Sequence, residues 1–242
     1  MSEKKMMSKA EIMKAICPFC DGEFDCPVYP EIHIPGDGKL KKRILNRDLF
    51  FPVCPYCKTE IKVKPTCMYY DEHKRLLVLV VESPDTVLES IIKNGYRNPD
   101  EDIDDNLFIF LKGLVKRRIV YDVDAFREKI LLSDYNYDDR IIELMKCSLS
   151  ELIEKECNDH VHRIFLDESA GNTMKFTAIL GIHAPYEYID ISVPSYVYTQ
   201  YRNKYLDKIG NPEEDEYIYT DQKWAAKSGL LKDENPGFIL PV

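Results

Sequence analysis

The sequence predicts an α+β fold in two parts, a β-rich region over residues 12–82 and a mixed helical and strand region over 83–242. Three observations predict it. Period-two apolar stretches and proline-containing turns dominate the first part. A long stretch near residues 138–158 carries apolar residues at three- and four-residue steps, the mark of an amphipathic helix. The C-terminal third then sets short strand-like runs before helical ones. Hydrophobic residues are 45% and charged residues 31% of 242, ordinary globular values that exclude wholesale disorder and fibrous repeats.

Taken in order, strand character runs around Glu23 to Ile34 and a helix follows near Lys39 to Asp48. A hairpin then pairs Glu60 to Tyr70 with Arg75 to Val81 across the turn DEHK, and Pro84 closes the first part. Beyond it the pattern predicts a helix near Asp85 to Asn94, an acidic loop RNPDEDIDDN, an apolar run Leu107 to Leu114 and a short helix at Asp124 to Leu132. The long helix runs from Asp138 to about Asn158, with Ile142, Met145, Leu149, Leu152 and Ile153 as its apolar stripe. Strands at Arg163 to Leu166 and Met174 to Gly181 and helices near Ser195 to Lys208 and Asp221 to Lys227 complete the chain.

Charge is distributed unevenly. The first 80 residues hold 14 Lys and Arg against 11 Asp and Glu, a net +3; the remainder holds 19 against 31, a net −12. An acidic surface of that size repels phosphate backbones, so nucleic acid is a disfavoured partner. The N-terminus carries no apolar stretch of signal-peptide kind, and the longest apolar run, Leu76 to Val81, is far shorter than the roughly 20 residues a membrane helix needs. A cytoplasmic protein with no membrane partner is expected. In a reducing compartment, eight cysteines point to metal binding or catalysis before disulfides.

The chemistry is concentrated in two copies of Cys-Pro-aromatic-Cys, CPFC at Cys17–Cys20 and CPYC at Cys54–Cys57, with 33 residues between them. A tetrahedral zinc site needs four soft donors from different directions, and two C-x-x-C turns supply them. The long spacing is inexpensive, because each doubling of a loop costs only about 0.6 kcal/mol. CPYC alone also resembles the dithiol of a glutaredoxin, but that chemistry needs a helix starting at the pair. After Cys57 the chain runs KTEIKVKPTC, a period-two pattern containing a proline. The expected site is therefore one structural Zn²⁺ per chain on Cys17, Cys20, Cys54 and Cys57, with no open position for catalysis at the metal. Four thiolates on Zn²⁺ carry a local −2, which brings the first 80 residues from +3 to +1. A thiol-disulfide oxidoreductase using CPYC and a zinc-ribbon nucleic-acid binder are the alternatives. In many zinc knuckles a glycine with φ > 0 comes directly after the second cysteine; here those positions are Asp21 and Lys58, so both must enter the left-handed region or use another turn.

ICPFCDGEF, FPVCPYCKTEIKV and CMYYDEHKRLLVLVVE resemble the CpXC domain family, named for its paired Cys-Pro-x-Cys motif, and RRIVYD, REKI and DDRIIELMK extend the likeness to residues 14–147. The resemblance implies metal-binding roles for Cys17, Cys20, Cys54 and Cys57. It implies no activity. The reading is thus a zinc ribbon over 12–82 whose partner is another protein, and then an acidic α+β region over 83–242.

Other features have plainer explanations. Asp100, Asp102 and Asp104 alternate as in a calcium loop, but Asp105 stands where glycine is needed and Leu111 where glutamate is. Lys39, Arg43 and Arg47, with Lys42 beside them, read as the solvated face of an amphipathic helix before a phosphate row. Tyr198, Tyr201 and Tyr205 form a helical stripe that belongs in a core before it belongs on stacked bases. Cys26, Cys67, Cys147 and Cys157 have no partner at ligand spacing and are expected to behave as small buried hydrophobes, with Cys26 and Cys67 near enough in sequence to be spare donors. No phosphate-cradling glycine loop, nucleophile elbow or kinase signature occurs, and no reaction is assigned.

Overall fold

The computed structural model describes residues 8–63, 66–81, 116–210 and 219–231. It contains both helices and strands, as an α+β protein should, and its N-terminal region is rich in strands. The described residues divide into two compact units between Arg127 and Glu128. The expected boundary was 82/83; the first unit reaches further because a strand at Lys116–Val120 pairs into its sheet. The expected helix at Asp85 to Asn94, the acidic loop and the run Leu107 to Leu114 lie outside the described residues.

In the first unit, β1 (Glu11–Ile16) and β2 (Glu23–Val28) form an antiparallel hairpin with Glu11 opposite Val28 and Ile16 opposite Glu23. Its inner face joins Ala15 and Cys26 to Cys17, Cys54 and Ile61 in a small core, with Phe24 and Val63 packed against it. Ile12, Lys14 and Ile16 occupy the other face, where Lys14 pairs with Asp25 at 2.7 Å. β3 (Glu31–Ile34), β4 (Cys67–Asp71), β5 (Leu76–Val80) and β6 (Lys116–Val120) make a sheet in that order, in which β3 runs parallel to β4, β4 antiparallel to β5 and β5 parallel to β6. β5, LLVLV, is buried at every position, as a strand covered on both faces must be. α1 (Gly38–Leu45) buries Leu40 and Ile44 and sends Lys41 to the buried carboxylate of Asp71 at 2.9 Å. Asp71 also accepts from the Tyr69 hydroxyl at 3.1 Å. Against Tyr69 and Phe50 packs Phe126, with ring centroids 5.7 and 5.8 Å away, from α2 (Val123–Asp134).

The expected strand over Glu60 to Tyr70 is two separate ladders. Val53 bridges to Glu60, and the Ile61 and Val63 amides donate to the carbonyls of Pro52 and Phe50 at 3.0 and 2.9 Å, so this alternation belongs to the second cysteine turn. The hairpin strand proper begins at Cys67, opposite Val80. Period two is the same in both ladders.

The second unit is a three-stranded antiparallel meander, β7 (Val161–Ala170), β8 (Thr173–Leu180) and β9 (Glu187–Pro194), packed against helices. α3 (Asp139–Cys157) supplies Ile142, Met145, Leu149 and Ile153 to a core completed by Met174, Phe176, Ala178, Leu180, Ile191 and Val193. Leu152 lies at the margin of that stripe, half-buried. α4 (Ser195–Ile209) buries Tyr198 and Tyr205 with Tyr201 packed alongside, so the tyrosine stripe is a core stripe. α5 (Gln222–Lys227) adds Ala225 and packs Trp224 against the same core.

Asp138 caps α3 by accepting the Arg140 amide at 3.0 Å, and its two oxygens also hold the Arg140 guanidinium at 3.0 and 2.7 Å. Asn158 closes the helix in the left-handed conformation that ends many helices. Asp138→Ala is expected to lower stability by about 1–2 kcal/mol, read from the fluorescence of Trp224, the chain's single tryptophan, during urea unfolding. An unchanged midpoint would show that the cap is not needed.

Candidate metal centre

The two cysteine turns are built alike. In the first, which joins β1 to β2, the Cys17 amide donates to the Gly22 carbonyl at 3.0 Å and the Asp21 amide returns to the Cys17 carbonyl at 2.9 Å. In the second, the Cys54 amide donates to Thr59 at 2.9 Å and the Lys58 amide returns to Cys54 at 3.0 Å. Each loop closes on itself, one amide bond wide. The closure puts the residue after the second cysteine at positive φ, 56° for Asp21 and 62° for Lys58, where glycine is the usual choice. Both turns accept that conformation without it, and Lys58 folds its ammonium back onto the Pro55 carbonyl at 2.8 Å.

Within each pair the first sulfur faces inward and the second outward: Cys17 and Cys54 are buried, Cys20 and Cys57 exposed. The four Sγ atoms lie within 4.8 Å of one another. Close approaches link the two turns, with Cys17 to Cys57 at 3.6 Å and Cys20 to Cys54 at 3.7 Å. A disulfide would bring the sulfurs to about 2.05 Å. A tetrahedron with metal–sulfur bonds of about 2.3 Å has edges of about 3.8 Å, and the two close approaches between the turns match that edge. The donor set therefore fits a thiophilic metal ion, and the four residues expected from spacing alone are the four that meet.

Electrostatics adjust to the crowding. The Thr59 hydroxyl, and after it the Thr59 amide, stabilises the Cys57 thiolate and lowers that thiol to about 6. The Gly22 amide acts the same way on Cys20, but desolvation and the surrounding sulfurs outweigh it and push the thiol up to about 12. A cation bound among the four sulfurs would favour their thiolate forms.

The remaining cysteines stay outside the cluster. Cys26 is buried in the same small core and turns its sulfur toward the Pro27 carbonyl, 3.8 Å away. Cys67 is buried in β4, where desolvation pushes its thiol well up. Burial also pushes Cys147 up to about 12, and its sulfur meets the Gln222 carbonyl at 3.3 Å. Cys157 departs from the buried-hydrophobe expectation, being exposed at the end of α3. The basic row is partly neutralised, Arg43 by Asp48 at 2.7 Å and Arg47 by Asp124 at 3.9 Å.

Sequence spacing pointed to the four clustered cysteines but passed over the residues that set the turns against each other. The Tyr56 ring lies over Gly22, so close that a Cβ there would sit 2.4 Å from the ring, and its hydroxyl donates to the Glu23 carbonyl at 3.0 Å. Glycine directly before a strand was the available signal.

The fold and the site together define an α+β protein organised around a four-cysteine cluster suited to a metal ion. A family model described as CpXC protein matches residues 16–146, and the chain belongs to the CpXC family. That match covers the cysteine cluster, the mixed sheet, α2 and the first part of α3. No curated protein and no solved structure matches the chain.

Proposed function

We propose that Cys17, Cys20, Cys54 and Cys57 hold one structural Zn²⁺ and that the clasp presents the N-terminal ribbon to another protein in the cytoplasm. The approach of four sulfurs from two separate turns to within 4.8 Å of one another, with two contacts between the turns at 3.6 and 3.7 Å, is the observation that carries this reading. All four positions are taken by protein ligands, the closed arrangement of structural sites. Zinc needs no redox partner and is the common occupant of a four-thiolate site; iron, the other candidate for sulfur donors, would colour the protein. The partner surface is the apolar rim of the clasp. Ile12, Ile16, Phe19 and Tyr56 stand 64–68% exposed around it, and Val53 joins them. No helix among the described residues is long and apolar enough to cross a membrane.

The oxidoreductase alternative needs CPYC at a helix N-terminus with one accessible thiol. Here the pair occupies a turn between bridge partners Val53 and Glu60, and both its sulfurs approach those of the other pair. Metal analysis of the purified chain is the test. A colourless protein with about one zinc per chain is expected, and a cobalt-substituted sample should show the intense thiolate-to-metal absorption of a tetrahedral sulfur site. An iron-loaded protein would overturn the choice of metal, and a metal-free protein that neither zinc nor cobalt changes would overturn the site.

A further inference from the structure

The two cysteine turns repeat at an offset of 37 residues, so that Phe19 corresponds to Tyr56, Gly22 to Thr59 and Glu23 to Glu60. The correspondence holds for the hydrogen bonds and the positive φ angles. It fails for one contact. From the second turn, Tyr56 lays its ring on Gly22 of the first and donates its hydroxyl to the Glu23 carbonyl, at the start of β2, at 3.0 Å. The reciprocal contact has no chemistry available to it, because Phe19 carries no hydroxyl and Thr59 places a Cβ where Gly22 has none.

We infer that Tyr56 is a positioning residue, a latch that holds the second cysteine turn against the first without the metal's help and thereby keeps Cys57 at the ion. This inference rests on the metal reading proposed above. Cys57 is next to Tyr56 in sequence and exposed, so it is a sulfur on the side from which a ligand can swing away. Releasing it requires the turn to open, and opening separates the ring from Gly22 and the hydroxyl from Glu23. The latch therefore adds to the barrier for metal loss. Supporting contacts of this kind around metal ligands are worth about 10–100-fold in affinity.

Gly22 provides the control. Its φ lies outside the left-handed region, so alanine is compatible with the backbone, and the obstacle to a Cβ is the Tyr56 ring at 2.4 Å. The experiment uses the full-length zinc-loaded chain and monitors transfer of zinc to an excess of a chromogenic chelator. Tyr56→Ala is expected to speed release about 10-fold and Gly22→Ala to speed it comparably, while Tyr56→Phe, which keeps the ring and loses the hydrogen bond, falls between them and the native chain. With the ring gone, Gly22→Ala should add nothing, so the double variant matches Tyr56→Ala. Zinc content at saturation and the far-ultraviolet spectrum, unchanged across the set, verify that every variant is folded and loaded. Release rates insensitive to Tyr56, or effects of the two substitutions that simply multiply, would overturn the latch while leaving the zinc site standing. A native chain with no zinc to release would overturn the site and the latch with it.

Discussion

Cys54→Ser is expected to empty the metal site and unfold the small core beneath it. Cys54 is fully buried beside Cys17, Cys26, Ala15 and Ile61, so the substitution removes a soft donor and leaves a hydroxyl in an apolar setting. Structural zinc contributes roughly 10–16 kcal/mol of binding free energy in zinc-finger peptides, and where no preformed site survives unfolding that energy is folding energy. Among the described residues the core around the clasp is five buried side chains, too little to hold the β1–β2 hairpin by itself. Zinc content should fall well below that of the native chain. Amide exchange over residues 11–63 should accelerate, most in β1 and β2 and in the two turns. Cys57→Ser is the informative companion, because Cys57 is exposed: it should weaken zinc as well but disturb the packing less. A Cys54→Ser protein that keeps its zinc and its native exchange pattern would remove the basis for the proposed function.

How much of the fold and the site was legible in the sequence depends on whether the signal is local. The four clustered cysteines were, since C-x-x-C is a turn and a donor pair at once, and the strained positions Asp21 and Lys58 could be named from the turn's backbone requirement. Helix α3 was legible because stripe and cap agree: Asp138 and Asn158 sit where the periodicity stops. β1 was not. Its sequence EIMKAI has apolar residues on both faces, and Ile12 and Ile16 remain exposed, so the alternation that marks a half-buried strand is missing. β9 carries a clear alternation, Ile189, Ile191 and Val193 against Tyr188, Asp190 and Ser192, and only its pairing with β8 gives that pattern its place. The parallel partner of β5 is hidden for another reason, because Arg117 and Arg118 are buried in β6 and charged residues read as surface. The approach of the two turns through Tyr56 and Gly22 is a contact between residues 34 apart, and no local pattern encodes it.

The buried charges of the second unit, also invisible to patterning, set the other large expectation. Lys146 donates to Glu128 at 2.6 Å and to Glu143 at 3.2 Å, and Lys129 reaches Asp139 at 3.0 Å, Glu143 at 3.3 Å and the Thr220 carbonyl at 2.8 Å. Glu128 also accepts the Leu166 amide of strand β7 at 2.7 Å. All five side chains are 2–4% exposed. Lys146→Met would keep the side-chain volume, strand the Glu128 carboxylate in a dry interior and leave Glu143 with Lys129 alone. The expected loss is about 3–5 kcal/mol, the usual cost of breaking a buried pair from one side. Burial already holds Glu128 above its ordinary value of 4.5, with Lys146 the main opposing influence, so removing the lysine raises it further. A carboxyl with a raised folded pKa is destabilising while ionised, and that penalty disappears as pH falls through the folded value toward 4.5. The deficit of Lys146→Met should therefore be largest at neutral pH and shrink on mild acidification. Adding Glu128→Gln, which still accepts the Leu166 amide, should restore much of the loss at neutral pH, since replacing both partners avoids the stranded charge. Urea unfolding monitored by Trp224 fluorescence measures each case. A deficit below about 1 kcal/mol, or one that grows as the solution is acidified, would mean that these charges are solvated in the folded chain and that the core of the second unit does not depend on their pairing.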